Sequence, residues 1–122
     1  MADERIKNLP FSESVRVGKT VYVAGQIGLE RGTMKPPADV REEARLVLNA
    51  LRDVLGRQGL TMDDLVMVNV HAPNVDRDYA PFNDVYVTYF NGSYPARAFL
   101  GSGPLLFGAR FELTAVAARP KG

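Results

Sequence analysis

Two charged side chains stand among apolar neighbours. Arg97 lies between Ala96 and Ala98 with Phe99 two residues on, and Glu112 lies between Phe111 and Leu113. Both settings read as strands, where residues two apart share a face, and charges are seldom buried without a partner. Two readings follow. In one, the residues pair with each other or reach the rim. In the other, Arg97 offers a permanently charged planar fork to a substrate carboxylate, beside a Glu112 carboxylate that holds a water.

Other chemistries fit less well. Gly101-Ser102-Gly103 lacks nucleophile-elbow spacing, and the single histidine, His71 between Val70 and Ala72, reads as a structural or edge residue. Gly18-Lys19-Thr20 resembles the end of a phosphate loop, but Glu13 stands where its first glycine belongs and no helix follows. Asp63-Asp64 reads as a solvated turn. Cysteine is absent, which excludes thiol nucleophiles and zinc sites built on Cys and His.

The elements that would position Arg97 and Glu112 belong to one domain, 1–122, with no internal repeat or linker. Hydrophobic residues make up 46% and charged residues 24%, the balance of a soluble globular protein rather than a disordered one. Fifteen basic against fourteen acidic residues give a net charge of +1, which argues against a nucleic-acid partner. No apolar run approaches membrane length and the start MADERIKNLP has no export segment, so a cytoplasmic location without membrane contact is expected.

Periodicity predicts strands at Ser14–Val17 and Thr20–Ala24, joined by Gly18-Lys19 in a type II′ turn. A helix is expected over Asp39–Arg57, with an Asp39/Glu42 capping box and a core stripe of Val40, Ala44, Val47, Leu48, Leu51, Val54 and Leu55. Leu65–Ala72 reads as a buried strand. A second helix is expected over Asp78–Phe90, with Pro81 in its first turn and Tyr79, Phe82, Tyr86, Tyr89 and Phe90 along one side. Strands at Ala96–Leu100 and Ala109–Ala118 close the chain. The loose segments are the first eight residues, Arg31–Ala38 and Lys121-Gly122. The fold class is α/β (α+β): one mixed sheet with both helices on one face. The strands carry apolar residues on both faces, so the uncovered face calls for a subunit partner.

Pro10-Phe11-Ser12, the run Val21-Tyr22-Val23-Ala24-Gly25-Gln26-Ile27-Gly28-Leu29, Phe82-Asn83-Asp84-Val85-Tyr86 and Tyr94-Pro95-Ala96-Arg97 resemble the RidA/YjgF/YER057c/UK114 family over nearly the whole chain. The resemblance implies a chorismate-mutase-like fold and a homotrimer with sites in inter-subunit clefts. It implies hydrolysis of enamines and imines such as 2-aminoacrylate to 2-oxo acids and ammonia, with no cofactor and no metal. Arg97 would bind the substrate carboxylate and Glu112 would activate water. Asn83 and the backbone around Phe99 would shape the pocket. The sequence departs from the family at Phe11, where tyrosine is usual, at Ala24, where serine is usual, and at Phe99, where cysteine is common. Two hydroxyls are thereby lost, and a tighter, more apolar pocket for a carboxylated substrate is expected. The competing readings are a trimer that binds a carboxylated metabolite without turnover, and the ribonuclease or translation-inhibitor activity attached to some relatives.

Overall fold

The computed structural model describes residues 9–120. The first eight residues and Lys121-Gly122, both expected to be loose, lie outside the described residues. Strands β1 (Ser14–Val17) and β2 (Thr20–Gln26) form the expected hairpin, with Val17 opposite Thr20. Gly18 adopts φ +60°, a region that glycine enters without a Cβ clash.

Helix α1 (Val40–Arg57) follows. Asp39 caps it, its carboxylate accepting from the Arg41 N–H at 2.9 Å, while Glu42 turns forward to Arg45 at 3.2 Å instead of completing a capping box. The expected apolar stripe from Ala44 to Leu55 is buried, with Val40 packed against its edge. The preceding segment 31–38 is less loose than its composition suggested: the Glu30 N–H donates to Lys35 O and the Met34 N–H to Glu30 O.

Strand β3 (Leu65–Ala72) has the expected bounds. Asp64, read as part of a solvated turn, is instead buried. It accepts from the Thr61 N–H at 2.9 Å and from Arg119 at 2.6 Å, and the Arg119 guanidinium holds its carboxyl below the usual aspartate range. Helix α2 (Val75–Tyr86) begins three residues earlier than expected, because Asn74 caps it by accepting from the Arg77 N–H at 3.2 Å. Pro81 therefore lies past the first turn, and residues 87–89 form a 3₁₀ turn rather than a continuation of α2. No described helix is long and apolar enough to cross a membrane.

Strand β4 (Ala96–Gly101) runs parallel to β3, and β5 (Glu112–Ala118) closes the sheet in the order β1-β2-β5-β3-β4. Residues 109–111, expected as strand, are not part of it. Arg110 is committed elsewhere. Its N–H donates to Glu43 Oε2 at 2.7 Å, and its guanidinium donates to Glu43 Oε1, Pro37 O and Ala38 O at 2.8–2.9 Å. Glu43 is fully buried; burial raises its carboxyl pKa, and the hydrogen bonds and charge of Arg110 oppose the rise.

The helices cover one face of the sheet. Val21, Val23, Leu65, Val68, Val70, Leu113, Ala115 and Ala117 point into a core shared with α1 and α2. The other face carries Tyr22, Val66, Met67, Val116 and Thr114, and Tyr22 stays 51% exposed. Register irregularities between Leu65 and Met67 and between Val23 and Gln26 set the alternation, the second of them beside Gly25.

Candidate functional site

Arg97 pairs with Val68 across β3–β4, and Val68 belongs to the helix-covered core. Its side chain accordingly meets α2. The guanidinium carbon lies 4.6 Å from the Tyr86 ring centroid, 5.4 Å from that of Phe99 and 5.8 Å from that of Tyr79. Phe99 is fixed edge-on against Tyr79 at 4.9 Å and against Phe82 at 5.6 Å. Asn83, half-buried, stands four residues after Tyr79 and three before Tyr86, the spacing of neighbours on a helix surface. Arg97 therefore rests on an aromatic shelf, and among the described residues its guanidinium makes no ion pair or hydrogen bond.

Glu112 lies at the start of β5, opposite His71 on β3 and on the face without helices. On its other side is Gly25. A Cβ at residue 25 would collide with Glu112 Oε2 and stand 2.9 Å from its Cδ. Only glycine allows the carboxylate to lie against this backbone, which is the usual meaning of glycine inside a strand. Ala24 is half-buried next to it, and the Ala24 N–H donates to Glu13 O at 2.9 Å. That bond brings the segment carrying Phe11, 55% exposed, to the same end of the hairpin.

The candidate residues thus form two groups, not one. Arg97, Asn83 and Phe99 belong to the helix-covered side; Glu112 and Ala24 belong to the Gly25 end of the open side, with the segment carrying Phe11 at the same end of the hairpin. Arg97 and Glu112 are separated by β3, about 10 Å across the strands, and by three register positions, about another 10 Å along them. The reading in which they pair with each other is excluded. Two open grooves of about 360 and 300 Å³, both lined by Arg52, Met62 and Tyr89, include none of the candidate residues.

Gly25, Tyr79 and Tyr86 were not singled out as site residues. Gly25 carried a usable signal as a glycine within a strand pattern. The tyrosines did not, since an aromatic stripe at helical spacing reads as core.

This sheet order with two helices on one side defines an α+β protein of the chorismate-mutase-like fold. The family model described as Endoribonuclease L-PSP matches residues 3–119, and the chain belongs to that family, the RidA/YjgF family. The Mus musculus protein named 2-iminobutanoate/2-iminopropanoate deaminase is 36% identical over 109 residues, covering 88% of this chain and 80% of its own. The E. coli YjgF gene product superposes with a TM-score of 0.85 at 28% identity, covering 93% of this chain and 91% of its own. E. coli TdcF with bound serine gives 0.83 at 30% identity, covering 90% and 88%.

Proposed function

We propose that this protein hydrolyses 2-imino acids and their enamine tautomers to 2-oxo acids and ammonia, in clefts between the subunits of a trimer. The observation that carries the reading is Arg97: half-buried, its guanidinium on an aromatic shelf and without a carboxylate partner among the described residues. Such a group suits a carboxylated ligand, which it can hold through two parallel hydrogen bonds. The relatives named as imine deaminases and the serine bound to TdcF, an amino acid with a free carboxylate, support that ligand class.

The chemistry asks for little more. Water adds to the electrophilic carbon of the protonated C=N group as Glu112 accepts the proton released. That proton passes to the amine of the carbinolamine, and as the C–N bond breaks Glu112 takes up the hydroxyl proton. Carbon becomes a ketone and nitrogen leaves as ammonia, with no change in oxidation state. Arg97 contributes orientation. Asn83 and Phe99 line the Arg97 side of the cleft, while Phe11 and Ala24 line the Glu112 side supplied by a neighbouring subunit. With no hydroxyl at Phe11 or Ala24, the cleft favours imines of larger apolar amino acids.

A coupled assay tests the proposal. An amino-acid oxidase or a PLP-dependent dehydratase generates imines in situ, and 2-oxo acid release is followed with and without this protein. Accelerated release is the expected result. Binding of 2-oxo acids without acceleration would make the protein a carrier of carboxylated metabolites instead.

A further inference from the structure

Among the described residues, Tyr86 Oη is a buried side-chain polar atom with no hydrogen-bond partner. Tyr86 is 4% exposed. Its ring is wedged between Phe82, 5.7 Å away, and Phe90, 4.9 Å away, so packing rather than hydrogen bonding sets its direction. Buried hydroxyls are nearly always paired, and an exception calls for a reason. The ring that carries this orphan lies against Arg97, whose guanidinium carbon is 4.6 Å from the ring centroid and which has no acceptor among the described residues. Two donor groups share one patch of aromatic wall, and among the described residues neither has a protein oxygen to serve.

We infer that the Tyr86 hydroxyl is a second donor to the ligand carboxylate that Arg97 grips, completing a three-donor cradle for the two carboxylate oxygens. The inference rests on the proposed carboxylate-binding role of Arg97. A carboxylate has about four lone-pair positions, and a guanidinium fork fills two of them in its own plane. The phenol takes a third from the side of α2. Burial pushes the Tyr86 pKa up to about 12, so the hydroxyl is a proton donor throughout the neutral range. Arg97 lies over the ring, and a change of its rotamer on taking the carboxylate would bring the ligand to the hydroxyl.

The test is Tyr86→Phe, which removes one oxygen and keeps the ring. Calorimetric titration of the assembled protein with 2-oxobutanoate should show affinity weakened about tenfold or more, as for the loss of a hydrogen bond to a charged acceptor. Binding of 2-butanone, which lacks the carboxylate, should not change between wild type and variant. The melting temperature of the unliganded variant should equal or exceed that of wild type, because an unpaired buried hydroxyl has been removed. Unchanged 2-oxobutanoate affinity with a lowered melting temperature would overturn the inference and assign the hydroxyl a structural bond. Arg97→Ala separates the two readings. If it weakens binding while Tyr86→Phe does not, only the role of Tyr86 falls; if neither variant weakens binding, the Arg97 clamp falls as well.

Discussion

Arg97 and Glu112 project from opposite faces of one sheet, with β3 between their strands. If both act on one substrate, they come from different copies of the chain. Val116 is the place to test this, because it lies on the open face directly opposite Tyr22 on β2 and Met67 on β3. Light scattering should give three chains for wild type. Val116→Glu should give a monomer with native circular dichroism and no imine hydrolysis. A folded monomer with full turnover would refute the shared cleft.

Arg97→Ala should lower kcat/KM by roughly tenfold to a hundredfold from the lost charge-assisted bond alone, with misalignment adding to that. Arg97→Lys should recover little, since an ammonium keeps the charge but not the planar fork. Stability should change little, because Arg97 makes no ion pair among the described residues. Co-refolding the impaired Arg97→Ala with Glu112→Gln should raise activity above that of either variant alone, as mixed trimers then contain intact clefts. Absence of any recovery would count against the split site.

Gly25→Ala should act on the carboxylate it touches. The new methyl group occupies the place of Glu112 Oε2 and forces the side chain aside. The expected result is a fall in kcat of about a hundredfold, the scale set by misplacing a reacting group. KM should stay near wild type because the Arg97 side is untouched. A proportionate rise in KM with kcat unchanged would mean that Glu112 binds rather than activates.

The architecture was legible in the sequence because periodicity reports which face is buried. Leu65–Ala72 and the α1 stripe illustrate this. The errors have local causes. The cap at Asn74 lay outside the aromatic pattern that suggested a start at Asp78. Arg110 looked like a strand residue because nothing local reveals its partner Glu43, sixty-seven positions away. The types of the site residues were legible, but their placement was not. Whether Arg97 and Glu112 share a face depends on strand order and on the register of β4 and β5 against β3, neither of which leaves a periodic signal.

The Glu43–Arg110 pair gives a prediction about stability. Arg110→Leu leaves a fully buried carboxylate without its cation and should cost about 3 kcal/mol. The double change Glu43→Leu with Arg110→Leu should recover much of that loss, because the uncompensated charge is gone. Urea unfolding of the two singles and the double checks this; additive losses would deny that the pair is coupled.

Acid should act through Asp64. Its folded-state pKa is lowered, with the hydrogen bond from Arg119 as the largest cause. The stability it supplies is therefore fully present above the ordinary aspartate value of about 3.9 and is lost as pH falls through the depressed value. Glu43, with a raised folded-state value, has the opposite sign: its contribution falls as pH rises through that value. The urea midpoints of wild type and Asp64→Asn should differ most near neutrality and converge in strong acid. A constant gap across that range would remove Asp64 from acid sensitivity.

The order of strands also governs how the chain can be made. β5 occupies the centre of the sheet, between β2 and β3, yet it is synthesised after the other four strands. Until residues 112–118 have left the ribosome, β1–β2 and β3–β4 are two separate ribbons with no strand to join them, and two-stranded ribbons are marginal in water. The nascent chain must therefore wait for β5, exposing apolar ribbon faces during translation. Truncation before residue 112 would yield a species that cannot close its sheet and is prone to aggregate.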